Sequence, residues 1–267
     1  MYSLVEKKKL LLEHSDSFLY DIIGDTLSNQ FSPMSLHAQQ PLINHLKTII
    51  PLLIDSSLMN SNPTLITGMP GTGKSFIIRN CLSKFKIAKI SIRGYAIRSV
   101  SKRKFKEFLD FISTLRPILL VLEELESLSR KENETQEFLL NWINNYNFDE
   151  SGIYPIIISQ SPDRFPGQYP HQQWNLLYNF CYSFHISLDV DDFNVIWTNL
   201  LTNISCSINL IPELSNISKE ENYSISDVIC FIKELEYKLV IPNYAISSRN
   251  QKIKTTLLLI YEEYVSH

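Results

Sequence analysis

The sequence predicts an α/β fold: a parallel sheet with helices on both faces, followed by a small helical domain. Three observations predict it. Short apolar runs bounded by turn residues alternate with amphipathic stretches of helical period, the pattern of right-handed strand–helix–strand crossovers. One of the apolar runs opens into a glycine-rich loop, Gly68-Met69-Pro70-Gly71-Thr72-Gly73-Lys74-Ser75. After Asp189 the strand-like runs stop and helical patterns dominate.

A chain of 267 residues exceeds the usual size of one domain, so a large domain with a small one is the natural division. The hydrophobic content of 44% with 20% charged residues is globular, and apolar runs such as Ile118 to Leu122 are far too short to span a bilayer. The first residues, Met-Tyr-Ser-Leu-Val-Glu-Lys-Lys-Lys, are not followed by the apolar stretch of a signal peptide, so a cytosolic or nuclear location is expected. Cys81, Cys181, Cys206 and Cys230 have no C-x-x-C spacing, which argues against a zinc site or a redox pair. A net charge of −3 gives no global reason to expect nucleic acid, and the cluster Lys102-Arg103-Lys104 reads as a solvated helix face.

Residues 1 to about 30 carry one helical pattern through Leu10, Leu11, Leu12, Phe18, Leu19, Ile22 and Ile23. A polar, proline-containing loop from Gln30 to Gln40 precedes a helix over Pro41 to Leu53. A buried strand then enters the glycine-rich loop, a helix runs from Lys74 to Phe85, and Ile87 to Ile92 alternates as a second strand. Phe105, Phe108, Leu109, Ile112 and Leu115 recur at i, i+3, i+4 and i+7, so Lys102 to Leu115 is a helix ended by Pro117. The run from Pro117 to Arg130 reads as a strand ending in carboxylates, followed by a helix carrying Phe138, Leu139, Trp142 and Ile143. Further strands are expected at Tyr154 to Asp163 and Phe184 to Leu188. Beyond Asp189, helices are expected around Phe193 to Leu200, Ser226 to Leu239 and Lys254 to Tyr264.

The loop at 68–75 matches G-x-x-x-x-G-K-[ST] throughout. Its backbone N–H groups must turn inward around a phosphate, which side chains at the glycine positions would obstruct. The following helix N-terminus adds positive potential. Gly68, Met69, Pro70, Gly71, Thr72, Gly73, Lys74, Ser75 and the adjoining Phe76 are therefore candidates for nucleotide contact, with ATP and Mg²⁺ as the cofactors. Lys74 supplies a mobile charge for the phosphates, and the Ser75 hydroxyl is suited to Mg²⁺. Hydrolysis further needs carboxylates at the C-terminal edge of a nearby strand. Glu123 and Glu124, after Leu119-Leu-Val-Leu122, fit: Glu123 toward the metal, Glu124 toward the attacking water. Gln160, after Ile156-Ile-Ile-Ser159, is a candidate to sense the γ-phosphate or place that water; a polar residue closing a strand is an equal reading.

In this order the parts resemble the AAA+ ATPases, and the AAA family proper more than its other branches. The resemblance rests on the loop at 68–75, the carboxylate strand at 119–128 and Ile-Ile-Ile-Ser-Gln-Ser-Pro-Asp at 156–163, which is similar to the family's sensor-1 strand. It extends to Tyr223-Ser-Ile-Ser-Asp-Val228, similar to a segment of the C-terminal lid, and to Tyr20-Asp-Ile-Ile-Gly24, similar to a stretch that contacts adenine. The resemblance thus implies Ile22 and Ile23 as adenine contacts. It implies a P-loop nucleotide-binding domain over 1–188, with 1–60 as a helical lead-in, and a small helical lid over 189–267. The sequence also departs from the family: Glu123 stands for Asp and Gln160 for Asn, and Asn179-Phe180-Cys181 has no Arg where relatives carry an arginine finger. Arg164 lies nearby but out of place. The segment between Ile92 and Phe105 is short, and Tyr95 is a poor match for the pore-loop aromatic.

The expected function is an ATP-binding AAA-type ATPase subunit within an oligomer, its partners other and non-identical AAA-type subunits, its hydrolysis slow or partner-dependent because a missing finger removes powers of ten in rate. A protein substrate is compatible with this. Two other readings are an active homo-hexameric protein-remodelling ATPase and a replication-initiator or clamp-loader-like subunit that binds DNA.

Overall fold

The structure, a computed structural model, describes residues 2–14, 20–23, 36–55, 61–130, 134–160, 180–201 and 210–240. Contacts divide these into two units. One takes in the described parts of 1–31, 41–68 and 74–185, the other those of 32–40, 69–73 and 186–267.

The first unit is built on a six-stranded sheet in the order β1-β3-β4-β5-β2-β6. Its strands are β1 Asp21–Ile22, β2 Thr64–Gly68, β3 Ala88–Arg93, β4 Ile118–Glu123, β5 Ile153–Ile158 and β6 Tyr182–Ile186. The pairs β3/β4, β4/β5 and β5/β2 are parallel. Every residue of β2, β4 and β5 is buried, which is why they are mainly apolar and lack the alternation of a strand with one face in water. The first helices are α1 Leu4–His14, α2 Gln40–Ile54, α3 Lys74–Ser83 and α4 Gly94–Arg98. They are followed by α5 Lys102–Ser113, α6 Glu134–Asn144 and α7 Phe148–Ser151.

Local chemistry explains where these helices begin and end. The Ser101 hydroxyl accepts from the Lys104 N–H and starts α5, whose Phe105, Phe108, Leu109 and Ile112 are all buried. Burying such side chains contributes roughly 1.5–3 kcal/mol each. At the far end of α3, the buried Lys89 Nζ donates to the carbonyls of Leu82 at 2.6 Å and Phe85 at 2.8 Å. A cation there satisfies carbonyls that the helix leaves open and complements its dipole.

The structure corrects several sequence expectations. The single helical pattern over 1–30 is α1 followed by a strand: Asp21 and Ile22 pair antiparallel with Ser91 and Ile90 on the edge of the sheet, so the sheet is mixed. The strand expected to run on to Arg130 stops at Glu123, and Leu125–Arg130 is 3₁₀-helical. The helices α4 and Ile211–Glu220 were not anticipated. The helix expected over 254–264 and the loop with Arg164 lie outside the described residues.

The second unit contains α8 Val190–Leu201, α9 Ile211–Glu220, α10 Ile225–Val240 and a 3₁₀ turn at His37–Gln39. Phe193, Ile196, Trp197, Leu214, Val228 and Phe231 form its core, with Leu36 packed among them. Reciprocal bonds cap α8, Asp192 N–H to Asp189 Oδ1 at 2.8 Å and Asp189 N–H to Asp192 Oδ2 at 3.2 Å. Ser224 and Asp227 repeat that arrangement at α10.

Gly152 ends α7 at φ +63°, its N–H donating to the Phe148 carbonyl, and the space a β-carbon would need is taken by the Arg116 side chain. Gly152→Ala should therefore destabilise the protein by about 1–3 kcal/mol, read from its urea midpoint. An unchanged midpoint would contradict this packing.

Candidate functional site

The glycine-rich loop leaves β2 at Gly68 and enters α3 at Lys74. Gly68, Gly71 and Gly73 have φ of +147°, +77° and +83°, conformations that side chains resist. Between them the Thr72 hydroxyl donates to the Met69 carbonyl at 2.9 Å, closing the turn. Met69 to Gly73 group with the second unit: the Ser226 N–H donates to the Gly71 carbonyl at 3.3 Å, and a β-carbon on Gly71 would meet the Ser224 side chain. Gly73 has the side chains of Ile225 and Gln39 as its neighbours.

Lys74 is 9% exposed, and its Nζ donates to the Gly68 carbonyl at 2.7 Å. Burial pushes its pKa down to about 8, although the charge of Glu126 works in the other direction. A phosphate oxyanion at this position would favour the charged ammonium. Ser75 follows on the first turn of α3, and Phe76 beside it is 39% exposed.

The acidic cluster is built on β4. Glu123 is buried, and its Oε1 accepts from the Ser91 hydroxyl at 2.6 Å and from Arg79 Nη2 at 3.1 Å; Ser75 also donates to its carboxylate. Burial alone would raise its pKa, but these hydrogen bonds outweigh burial and hold it below the usual carboxylate range. Glu124 is the opposite case. It is exposed and sits at φ +55°, in the left-handed region, with its carbonyl accepting from the Ser127 N–H at 2.9 Å. This turn ends the strand and sends consecutive carboxylates in different directions, one inward and one to solvent. A non-glycine residue in that conformation costs about 1–2 kcal/mol.

A third carboxylate, Glu126, joins the next strand to this cluster. Its Oε2 accepts from the Ser159 hydroxyl at 3.1 Å and the Gln160 N–H at 3.2 Å, while its charge acts on Lys74. Gln160 is half-buried at the end of β5, between β4 and β2. On the other side of β2, the Thr67 hydroxyl and His185 Nδ1 lie 3.0 Å apart.

The structure thus gathers Gly68, Lys74, Ser75, Glu123, Glu124 and Gln160 at the C-terminal edges of β2, β4 and β5. It does not bring Ile22 and Ile23 there. Ile22 pairs with Ile90 and the Ile23 N–H donates to the Lys89 carbonyl, on β1 at the far edge of the sheet. Three strands intervene between β1 and β2, which is about 19 Å at the spacing of hydrogen-bonded strands. Sequence reasoning missed Arg79, Ser91 and Glu126. Arg79 lies four residues after Ser75 on α3 and so shares its face, and Glu126 is the last acid of Glu-Glu-Leu-Glu.

Among the described residues no group of three or more His, Cys, Asp or Glu is placed to hold a metal. Ser75 and Glu123 supply hard oxygen donors, so they suit a magnesium ion that takes its remaining ligands from phosphates and water. Residues 64–172 match the model of the family described as ATPase family associated with various cellular activities (AAA). No curated protein matches the chain.

Replacing Glu124 by Gly should relieve the left-handed strain and raise stability by about 1 kcal/mol, measured by chemical denaturation. Destabilisation instead would mean that the exposed side chain makes interactions that outweigh its backbone cost.

Proposed function

For a chain that belongs to the AAA+ ATPase superfamily, we propose the role of an ATP-binding subunit within an oligomer of other, non-identical AAA-type subunits, with slow or partner-dependent hydrolysis. Its AAA domain is that of a nucleotide-binding P-loop ATPase. Among the described residues no helix is long and apolar enough to cross a membrane. The observation that carries the proposal is the pairing of the buried Lys74 with a divided acidic pair, Glu123 held inward and Glu124 turned to solvent.

In this reading residues 68–74 hold the phosphates, and Ser75 and Glu123 hold Mg²⁺, Glu123 through water. Bound ATP·Mg²⁺ supplies the phosphoanhydride bond and the charge that screens it. Glu124 orients a water and accepts its proton, a role that suits a carboxylate reaching solvent. Gln160 orients the same water, its backbone fixed by Glu126. Residues 189–267 serve as a lid. Slow hydrolysis follows from the lack of an Arg at 179–181, since a cation at the γ-phosphate is worth several powers of ten in rate.

ATP turnover measured across a wide range of protein concentration tests this. The wild type alone should turn over slowly at every concentration and bind ATP tightly, Lys74→Ala should lose binding, and Glu124→Gln should keep binding and lose the residual turnover. Turnover that climbs steeply with concentration would instead support the self-assembling remodelling enzyme. A further prediction concerns Arg79, which neutralises Glu123 and so weakens its attraction for a cation. Arg79→Gln should lower the Mg²⁺ concentration for half-maximal ATP binding severalfold, followed with a fluorescent nucleotide; an unchanged requirement would remove Arg79 from the site.

A further inference from the structure

Between the end of β3 and the first turns of α5 the chain reads Arg93-Gly-Tyr-Ala-Ile-Arg-Ser-Val-Ser-Lys-Arg-Lys-Phe-Lys106. Six of the protein's 25 Lys and Arg lie in these 14 residues, and none of its 28 Asp and Glu. The whole chain carries −3, so everything outside this segment carries −9. A local reversal of sign against an acidic background is a different matter from a basic protein, because anionic polymers are repelled elsewhere and attracted here.

The structure shows how the segment presents that charge. Ala96, Ile97, Phe105 and Phe108 are buried and hold α4 and α5 to the body of the unit. Arg93, Arg98, Lys102, Arg103, Lys104 and Lys106 are all exposed. Tyr95 stands between Arg93 at the end of β3 and Arg98 of α4 and is 45% exposed, an aromatic ring left at the surface while its apolar neighbours turn inward. The carboxylates that border the segment are Glu123, opposite Arg93 in the sheet, Glu124, whose backbone abuts Gly94, Glu107, which pairs with Arg103 at 2.8 Å, and Asp110 along the chain. The surface also has a fixed origin: the backbone of Gly94 lies so close to the Glu124 carbonyl and the Ser127 hydroxyl that a β-carbon has no room there.

We propose that the exposed face of α4 and α5 binds single-stranded nucleic acid, its phosphates on the six cations and a base on Tyr95. A single strand offers both a polyanionic backbone for the cations and π faces for the ring to stack on. The sequence cluster Lys102-Arg103-Lys104 alone had only the first half of this arrangement; the exposure of Arg93, Tyr95 and Arg98 just before it in the chain supplies the second.

The test is fluorescence anisotropy of a labelled single-stranded oligonucleotide of about 20 nucleotides, with no ATP present, so that it reads the surface independently of the nucleotide site. The wild type should bind, with log K falling against log salt by about 0.7 for each phosphate engaged. Lys102→Glu/Lys104→Glu/Lys106→Glu should weaken binding at least about tenfold and flatten the salt slope. The charge-matched Lys47→Glu/Lys84→Glu/Lys86→Glu should do neither beyond a small uniform loss. Tyr95→Ala should cost about tenfold while leaving the salt slope unchanged. Absence of binding at low salt, equal losses in the two triple variants, or tighter binding to polyglutamate or anionic vesicles than to the oligonucleotide would each overturn the proposal.

Discussion

A carboxylate buried at the end of a central strand is the constraint on which the rest of the first unit depends. An unpaired charge in that position would cost several kcal/mol, and replacing its partners would leave the cost uncompensated. Glu123 avoids this by drawing donors from different elements, Ser91 on β3 and Ser75 and Arg79 on α3. Those donors reach it only if β3 and β4 keep the register that sets Arg93 opposite Glu123 and if α3 lies over the same strand ends. The electrostatics of one side chain thus fix the alignment of the elements around the phosphate loop.

Much of this was legible in the sequence, for reasons that differ by element. The phosphate loop is legible because its chemistry depends on consecutive residues. β4 and β5 are legible because strands buried on both faces are almost wholly apolar, with Glu123 only at the last position of β4. By contrast α4 has five residues, fewer than periodicity can resolve, and β1 has two, whose strand character exists only through β3. The roles of Arg79, Ser91 and Glu126 depend on neighbours distant in sequence. Glu124 was named as a candidate, but its left-handed backbone is set by the turn after β4, not by the residue type.

The second unit contains a different obstacle to reading. The buried face of α9 consists of Ile211, Leu214, Ser215 and Ser218, so half of it is polar and the apolar stripe of a helix is missing. The serines are satisfied within the helix, Ser215 donating to the Ile211 carbonyl at 2.8 Å and Ser218 to that of Leu214 at 2.7 Å. Ser218 also accepts from the indole N–H of Trp197 at 3.1 Å, which lets a large aromatic residue be fully buried. Small hydroxyls here do the packing that a hydropathy pattern assigns to aliphatic residues.

The two buried lysines flanking α3 have a mechanical consequence. Lys74 grips the carbonyl of Gly68 at the head of the helix, and Lys89 grips the carbonyls of Leu82 and Phe85 at its tail. The head of α3 is thereby tied to the end of β2 and its tail to β3, so each end of the helix is joined to the sheet by a charged hydrogen bond as well as by apolar packing.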